Sequence, residues 1–362
     1  MLTELQQAPD TVAQLLASDA ETWQALARQL RQQPPAAVLT LARGSSDHAA
    51  HFLAYLAMAR LGRLVTSLPM SLVTLHASRL QCAGLLSLAF SQSGQSPDLV
   101  LPTQAFRQQG ARTVALVNDA GSPLAQASEW VLPLHAGAER SVAATKSCIA
   151  QLVAGARLVA HWQDDAPLQA ALQALPDALH QALGCDWGAA VPLLAPVDRM
   201  VVIGRGLGLA VALEAALKLK ETCGIQAEAF SGAEFRHGPM ALVQQGYPLL
   251  VLAPRGPAQA GLLDLARELR TLGAQVLLAA PMGMPGAQLS LAAPGGTPGA
   301  QLSLAAPGGT PGAQLPLAPT GHEDLDAIST LQSFYLMVEA LARARGRDPD
   351  TPRHLSKVTR TH

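Results

Sequence analysis

The sequence is poor in charge, in aromatic residues and in long hydrophobic runs. Charged residues make up 14% of the 362 residues and aromatic residues 4%, although hydrophobic residues reach 49%. The apolar runs are short, as at 201–203 and 248–254, and none approaches the roughly 20 residues that a membrane-spanning helix needs. A formal net charge of −1 gives no electrostatic basis for binding nucleic acid or an anionic membrane. We therefore predict neither a membrane nor a nucleic-acid partner.

Disulfide, signal-peptide and cofactor motifs are also missing. Cys82, Cys148, Cys185 and Cys223 lie far apart and form no C-x-x-C pair, which is typical of buried thiols in a reducing compartment. The first residues, MLTELQQAPD, show neither the basic region nor the apolar core of a signal peptide. We therefore predict a cytoplasmic protein. Because no metal-ligand cluster and no Walker-type loop is visible, and GRGLG at 204–208 is a weak dinucleotide-like match, no metal and no cofactor is expected.

One structural unit is present twice. The segments 38–62 and 200–224 each contain an apolar strand, then Arg-Gly, then a helical stretch and a glycine, and 85–117 resembles 248–280 in the same way. Apolar strands that alternate with helices of this length predict an α/β fold with parallel sheets covered on both faces. The predicted organisation is a helical lead-in at 1–30, a first domain at 31–165, a linker helix at 166–189, a second domain at 190–345 and a C-terminal tail at 346–362.

A 13-residue repeat interrupts the second domain. PGAQLSLAAPGGT occurs at 285–297 and again at 298–310, and PGAQLPLAPTG restarts it at 311. Its proline and glycine content resists regular packing, so we expect a protruding, mobile loop. Only one copy, AQLPL, is expected to form a strand, and we attach no function to the others.

The loop at 91–96, SQSGQS, is rich in hydrogen-bond donors and follows an apolar strand. The corresponding loop of the second copy, PRGPAQ at 254–259, has lost every hydroxyl. Helix N-termini and the carboxyl ends of parallel strands favour anions, so the contrast favours one phosphate site in the first domain over plain turn chemistry. GSS at 44–46 adds donors at a similar edge. The predicted phosphate-binding residues are Ser45, Ser46, Ser91, Gln92, Ser93 and Ser96.

Lysine is scarce, and its few positions are informative. Lysine can act as a base or amine nucleophile, whereas arginine stays protonated. On a helix, Glu214, Lys218 and Glu221 would share one face, although a solvated charged stripe would look the same. His237 precedes Gly-Pro in a loop, and Lys357 lies past the last helix. The four lysines among the 25 basic residues are Lys146, Lys218, Lys220 and Lys357.

Six motifs in order resemble the sugar isomerase (SIS) domain pair of glucosamine-6-phosphate synthase and its relatives. They are ARGSSDHAA, SQSGQSPD, SVAATKS, EAALKLKE, EFRHGP and PRHLSKVT. The resemblance implies two tandem SIS domains, each a parallel sheet flanked by helices in a flavodoxin-like three-layer sandwich. The tail RHLSKVTRT is more similar to the stand-alone SIS-type glucosamine-6-phosphate deaminases than to the synthase. At some of the positions where this chain has Ser45, Ser96 and Ala144, the synthase has threonine. The resemblance therefore supports the phosphate cradle, which is formed by the loops at 44–46 and 91–96, more than any single contact.

The resemblance also implies roles for individual residues. Glu221 matches the acid/base that moves a proton between C1 and C2, and His237 matches a ring-opening residue that comes from the neighbouring subunit. Lys357 matches a lysine that forms a Schiff base with the open-chain carbonyl, and Lys218 matches a helper near the amino group. A homodimer with shared active sites is therefore expected. The backbone implied to touch the sugar is that of Val142, Ala143 and Ala144.

The function implied is conversion of glucosamine 6-phosphate and water to fructose 6-phosphate and ammonia. The chain begins almost at the isomerase half, without a glutaminase domain, so deamination is the expected direction. The same scaffold leaves open a synthase-like isomerase or a fructosamine-6-phosphate deglycase. A non-catalytic sugar-phosphate sensor is the alternative of another class, and Glu221, His237 and Lys357 argue against it because a sensor would not need them.

Overall fold

The computed structural model of the chain describes residues 1–282 and 312–357. The 13-residue repeats at 285–310 lie outside the described residues, as do residues 358–362. Two compact units make up the chain, Met1–Asp177 with the segment from Asp350 onward, and Ala178–Pro349. No described helix combines the length and apolarity that crossing a membrane would require.

The first unit is built on a five-stranded parallel sheet. Its order is β2-β1-β3-β4-β5, and every pair of neighbours is parallel. Strands β1 and β3 are buried along their whole length, which explains why their sequences are mostly apolar. The strands are β1 (Val38–Leu41), β2 (Val65–Ser67), β3 (Leu86–Ser91), β4 (Arg112–Val117) and β5 (Trp130–Pro133).

Helices cover this sheet, and α8 is the most deeply buried of them. It packs against α2, α3 and α4. The approach to α4 is close, since a Cβ added at Gly155 would lie 3.1 Å from the Leu53 Cβ. The helices are α1 (Leu2–Gln6), α2 (Ala8–Ala17), α3 (Ala20–Gln32), α4 (Ser45–Leu61), α5 (Ser71–Thr74), α6 (Pro97–Gln108), α7 (Pro123–Ala127), α8 (Lys146–Gln163) and α9 (Ala166–Gln173), followed at the unit boundary by α10 (Leu175–Leu183).

The second unit repeats the topology of the first. Its sheet has the order β10-β9-β8-β6-β7, all parallel, so each sheet has its first strand between its second and third. The predicted α/β fold with two parallel sheets is confirmed, and AQLPL forms the edge strand. The strands are β6 (Arg199–Gly204), β7 (Gln226–Ser231), β8 (Pro248–Leu252), β9 (Gln275–Pro281) and β10 (Ala313–Leu317).

The two faces of this second sheet carry different elements. Val201 and Leu249 pack with Phe235 and with the helix that follows β8. The connections β6-to-β7 and β7-to-β8 run in opposite directions across the sheet, so right-handed crossovers place them on opposite faces. The helices are α11 (Ala190–Leu194), α12 (Leu207–Lys218), which continues as a π-helical turn (Leu219–Cys223), α13 (Gln259–Thr271) and α14 (Asp326–Ala344), with 3₁₀ turns at Glu234–Arg236, Pro239–Leu242 and Glu323–Leu325.

Candidate active site

The predicted phosphate-binding residues share one edge of the first sheet. Strands β1 and β3 are neighbours, with Leu41 in register with Ala89, so the loops that leave their carboxyl ends are adjacent. In a sheet of this strand order the chain leaves these two strands toward opposite faces, and the crevice between them is where such folds bind ligands. Ser45 and Ser46 begin α4, and Ser96 is the N-cap residue of α6. Two helix N-termini therefore open onto the same crevice.

Within the 91–96 loop, the serine hydroxyls accept hydrogen bonds from the loop's own backbone. The Ser91 Oγ accepts from the Gly94 N–H at 3.0 Å, and the Ser93 Oγ accepts from the Gln95 N–H at 3.3 Å. Each hydroxyl keeps its hydrogen for an acceptor such as a phosphate oxygen. Gly94 has φ +63°, and a Cβ there would lie 2.1 Å from the Ser122 Oγ, so the loop requires glycine.

Helix α8 contacts the loop at 44–46, one of the two loops with the predicted phosphate-binding serines. The Gln151 Nε2 donates to the Ser46 Oγ at 3.0 Å, and the Cys148 Sγ lies 3.7 Å from the Ser45 carbonyl oxygen. The first turns of α8 therefore fix the loop at 44–46. They also bring the segment that precedes α8 toward the crevice. Sequence reasoning did not single out Gln151, which reads as an ordinary helical glutamine.

The segment before α8 is organised around one buried carboxylate, that of Glu139. Its Oε1 accepts from the backbone N–H of Thr145 at 3.0 Å and of Ser147 at 3.1 Å. Its Oε2 accepts from the Ser147 hydroxyl at 2.6 Å and from the Lys357 Nζ at 2.9 Å. The intervening residues 142–144 are those that the family resemblance brings to the sugar.

The charge of Glu139 is stabilised in place. Burial raises its pKa, but the Lys357 ammonium and the hydrogen bonds from Ser147 and Thr145 outweigh burial, so the net pKa lies below the ordinary value. The Lys357 Nζ also donates to the Ser141 carbonyl oxygen at 2.7 Å. The Asp350 carbonyl oxygen accepts from the Val142 N–H at 3.1 Å. The segment 350–357 therefore docks on the loop at 139–145.

In the second unit, a buried lysine bridges two carboxylates. The Lys218 side chain is 1% exposed, and its Nζ lies 2.5 Å from the Glu221 Oε2 and 3.4 Å from the Glu214 Oε1. The Tyr335 hydroxyl donates to the Glu214 Oε1 at 3.0 Å. This arrangement is a buried ionic network rather than a solvated stripe. Glu221 itself is 21% exposed and lies in the π-helical turn, a geometry often found at functional sites.

His237 and Glu221 lie on opposite faces of the second sheet. His237 is exposed and follows the turn that carries Phe235, which packs on the α13 face. Glu221 ends the crossover that contains α12, and α12 packs against α14. The structure brings Glu221 and Lys218 together within this unit, but it does not bring His237 to them.

In the second unit, the loop PRGPAQ, which corresponds to SQSGQS, is held by an ion pair. The Arg255 Nε and Nη2 donate to the two carboxylate oxygens of Asp326 at 2.6 and 2.8 Å. The Arg255 Nη2 also donates to the Thr320 carbonyl oxygen at 2.6 Å. Arg255, the cation of PRGPAQ, therefore binds the first residue of α14. Among the described residues, no group of three or more His, Cys, Asp or Glu could hold a metal ion.

The SIS domain model matches residues 30–160 and 193–280 of the chain. This protein belongs to the SIS domain family. Glutamine–fructose-6-phosphate aminotransferase [isomerizing] of Aeropyrum pernix is 34% identical over 284 residues, which cover 75% of this chain and 42% of that protein. This SIS chain thus spans less than half the length of that relative.

Solved structures with the same fold cover nearly the whole chain. A Silicibacter pomeroyi protein, provisionally named a phosphosugar isomerase, is 40% identical with a TM-score of 0.84, covering 96% of this chain and 98% of that one. Glucosamine-6-phosphate deaminase of Thermotoga maritima has a TM-score of 0.74 and 22% identity, covering 99% of each chain. The second likeness shows the fold alone.

Proposed function

We propose that this SIS protein is an aldose–ketose isomerase that deaminates an amino-sugar phosphate, converting glucosamine 6-phosphate and water to fructose 6-phosphate and ammonia. The observation that carries the proposal is the docking of Lys357 on the loop at 139–145. An amine is held at the backbone implied to contact the sugar, in the same unit as the hydroxyl-rich crevice. A sensor needs the crevice but has no use for the amine.

The crevice supplies binding and orientation. Ser45, Ser46 and the 91–96 loop would hold the phosphate through hydroxyl hydrogens and helix N-terminal N–H groups, with no permanent cation required. Phosphate binding energy then positions the reacting carbons C1 and C2. In this proposal Val142, Ala143 and Ala144 contact the sugar through their backbone.

The chemistry assigned to the remaining residues balances without an external oxidant. His237 moves a proton between ring and anomeric oxygens, which opens the ring to an aldehyde at C1. Glu221 takes the C2 proton and returns it at C1, so C1 is reduced to an alcohol while C2 becomes an imine. Lys357 gives one ammonium proton to the imine nitrogen, its free amine then adds at C2, and the substrate nitrogen leaves as ammonia when the lysine imine forms. Water then hydrolyses the lysine imine to the C2 ketone.

Lys218 has a supporting part in this scheme. Its ammonium contacts the Glu221 carboxylate at 2.5 Å and orients it. The Glu214 carboxylate and the Tyr335 hydroxyl complete the surroundings of the lysine, which offsets the cost of burying its charge. We assign Lys218 to positioning Glu221 beside the amino group of the substrate.

The opposite placement of Glu221 and His237 supports a homodimer with shared sites. The sheet itself stands between groups on its two faces, so Glu221 and His237 of one chain do not face a common small sugar. A second copy could supply the missing histidine. Mixing inactive Glu221→Gln chains with inactive His237→Ala chains should restore activity after subunit exchange, and no recovery would count against a shared site.

The proposed reaction is tested by ammonia release from a panel of hexosamine 6-phosphates. Glu221→Gln keeps the shape and deletes the base, so turnover should fall by about 10²–10⁴-fold with substrate binding retained. Glu228→Gln is the matched control, because Glu228 is exposed on β7 of the same unit. Isomerisation without ammonia release indicates the synthase-like reaction, release from a fructosamine 6-phosphate indicates a deglycase, and binding without turnover indicates a sensor.

A further inference from the structure

Glu139 contacts two parts of the chain that are far apart in sequence. One carboxylate oxygen holds the backbone of the loop at Thr145 and Ser147, and the other holds Lys357 across a sequence separation of 218 residues. The Glu139 side chain is completely buried, whereas the Lys357 side chain is 25% exposed. The carboxylate is therefore a fixed anchor on which the lysine docks.

Burial makes this anchor depend on the lysine. A buried carboxylate without a cation is costly, and hydrogen bonds from Ser147 and the backbone offset only part of that cost. When Lys357 docks, it neutralises the charge that organises residues 140–147. Undocking of Lys357 should therefore disorder the loop, and disorder of the loop should release Lys357.

We propose that Glu139 is a positioning residue that holds Lys357 at the sugar-contacting loop and couples docking of the lysine to the shape of that loop. The proposal rests on the amine role given to Lys357 under the proposed function. In the exchange step Lys357 leaves Glu139, gives one ammonium proton to the imine nitrogen and adds to C2 as the free amine, and the substrate nitrogen departs as ammonia. Glu139 then receives the lysine back after hydrolysis.

A second carboxylate supports the same loop without touching the lysine. Glu4 accepts hydrogen bonds from the backbone N–H groups of Arg140 and Ser141. It grips the other end of the turn that contains residues 142–144. A comparison of Glu4 and Glu139 variants therefore separates support of the loop from positioning of the lysine.

The direct test is Glu139→Gln. The glutamine carbonyl can keep both backbone hydrogen bonds, whereas its NH₂ group cannot accept from the Lys357 ammonium. We expect kcat to fall by about 10–100-fold from misplacement of the amine, with KM for the sugar phosphate changed much less. Borohydride trapping of fructose 6-phosphate on Lys357 should fall in parallel, because the hydride reduces only the imine that has formed.

Two comparators interpret that result. Glu339→Gln makes the same change at a buried glutamate in the second unit, which pairs with Arg343, and should leave kcat near wild type. Glu4→Ala should raise KM while the trapped yield per bound sugar remains. Equal kcat for Glu139→Gln and wild type, or the same trapping loss in Glu4→Ala, would overturn the assignment of Glu139.

Two measurements need no turnover. In a thermal-unfolding cycle of Glu139→Gln, Lys357→Met and the double variant, the second change should cost little once the first is made. In Lys357→Met alone, tryptic cleavage after the exposed Arg140 should quicken about tenfold, since a hydrogen bond to a charged group is worth about 1.5–3 kcal/mol. Additive stabilities or unchanged cleavage would overturn the coupling. If the variants show both effects but the wild-type protein releases no ammonia, the coupling holds and the proposed function is overturned instead.

Discussion

Replacing Gly94 with alanine perturbs the proposed phosphate cradle at its tightest point. Gly94 lies between Ser91 and Ser96, has φ +63° and donates its N–H to the Ser91 Oγ at 3.0 Å. An added Cβ would meet the Ser122 Oγ at 2.1 Å, the Ser122 Cβ at 2.5 Å and the Val117 Cγ2 at 2.9 Å. The loop cannot accept this atom without moving.

The magnitude follows from two separable costs. An alanine in the left-handed region costs about 1–2 kcal/mol, and forcing an atom into a packed site typically costs about 1–3 kcal/mol more. If the loop holds its shape, the free energy of unfolding falls by the sum, about 2–5 kcal/mol. If the loop moves, the strain is partly relieved at the cost of the Ser91–Gly94 hydrogen bond. The serine hydroxyls then lose the arrangement that binds the phosphate. We expect the second outcome and a rise of at least about tenfold in KM, since each hydrogen bond to a charged group is worth about 1.5–3 kcal/mol.

The assay compares KM for the sugar phosphate with the midpoint of thermal unfolding. Gly62→Ala is the matched control, because Gly62 has φ +61° and an added Cβ would meet nothing within 4 Å. That variant carries the backbone strain alone, and its KM should be unchanged. If Gly94→Ala loses stability while its KM stays within about twofold of wild type, the role of this loop in phosphate binding is refuted. The loss of one hydrogen bond to the phosphate should by itself raise KM by about tenfold or more.

Three further outcomes follow from single contacts. Arg255→Ala leaves the buried Asp326 carboxylate without its cation and should cost about 3 kcal/mol of unfolding free energy. KM should not change, because the proposed phosphate site lies in the first unit. The pKa of Glu139 is lowered in the folded protein, so its carboxylate stabilises the fold fully at pH values above the ordinary carboxyl pKa. This stabilisation is lost as the pH falls through the pKa of the folded state. The difference in unfolding free energy between wild type and Glu139→Gln should therefore shrink on acidification. Burial raises the pKa of the Cys223 thiol to about 11, so alkylation at pH 8 should label it only after unfolding.

The fold and the cradle could be predicted because their signals are local. Apolar strands, the paired glycines and the loss of hydroxyls between SQSGQS and PRGPAQ are all visible within short windows. Topology then supplies the rest, since the order β2-β1-β3 makes the two hydroxyl-bearing loops adjacent. Sequence could not show that Arg255 is held by Asp326, a partner 71 residues away.

The parts of the site that sequence reasoning missed depend on long-range contacts. Glu139 lies two residues before the motif SVAATKS, but nothing near it indicates that its partner is Lys357. Helical spacing grouped Glu214, Lys218 and Glu221 correctly, yet the π-helical turn differs from an α-helix by a shift of hydrogen bonds that no spacing rule reveals. The separation of Glu221 from His237 does follow from strand order and crossover handedness, but only once the strand order is known.

Lys357→Arg separates the charge of the lysine from its chemistry. An arginine can still donate to the Glu139 carboxylate and to the Ser141 carbonyl oxygen, so the segment 350–357 should stay docked and the unfolding midpoint should change little. A guanidinium is neither nucleophilic nor titratable near neutral pH, so the C2 imine cannot be transferred to it. We therefore expect most of kcat and all borohydride trapping at this position to be lost, while KM for the phosphate stays near wild type. Glu139→Gln makes the opposite structural change, because it keeps the amine of Lys357 and removes the carboxylate that anchors it. Near-wild-type turnover in Lys357→Arg would eliminate the covalent step and leave the contact with Glu139 as an ion pair that only docks the tail.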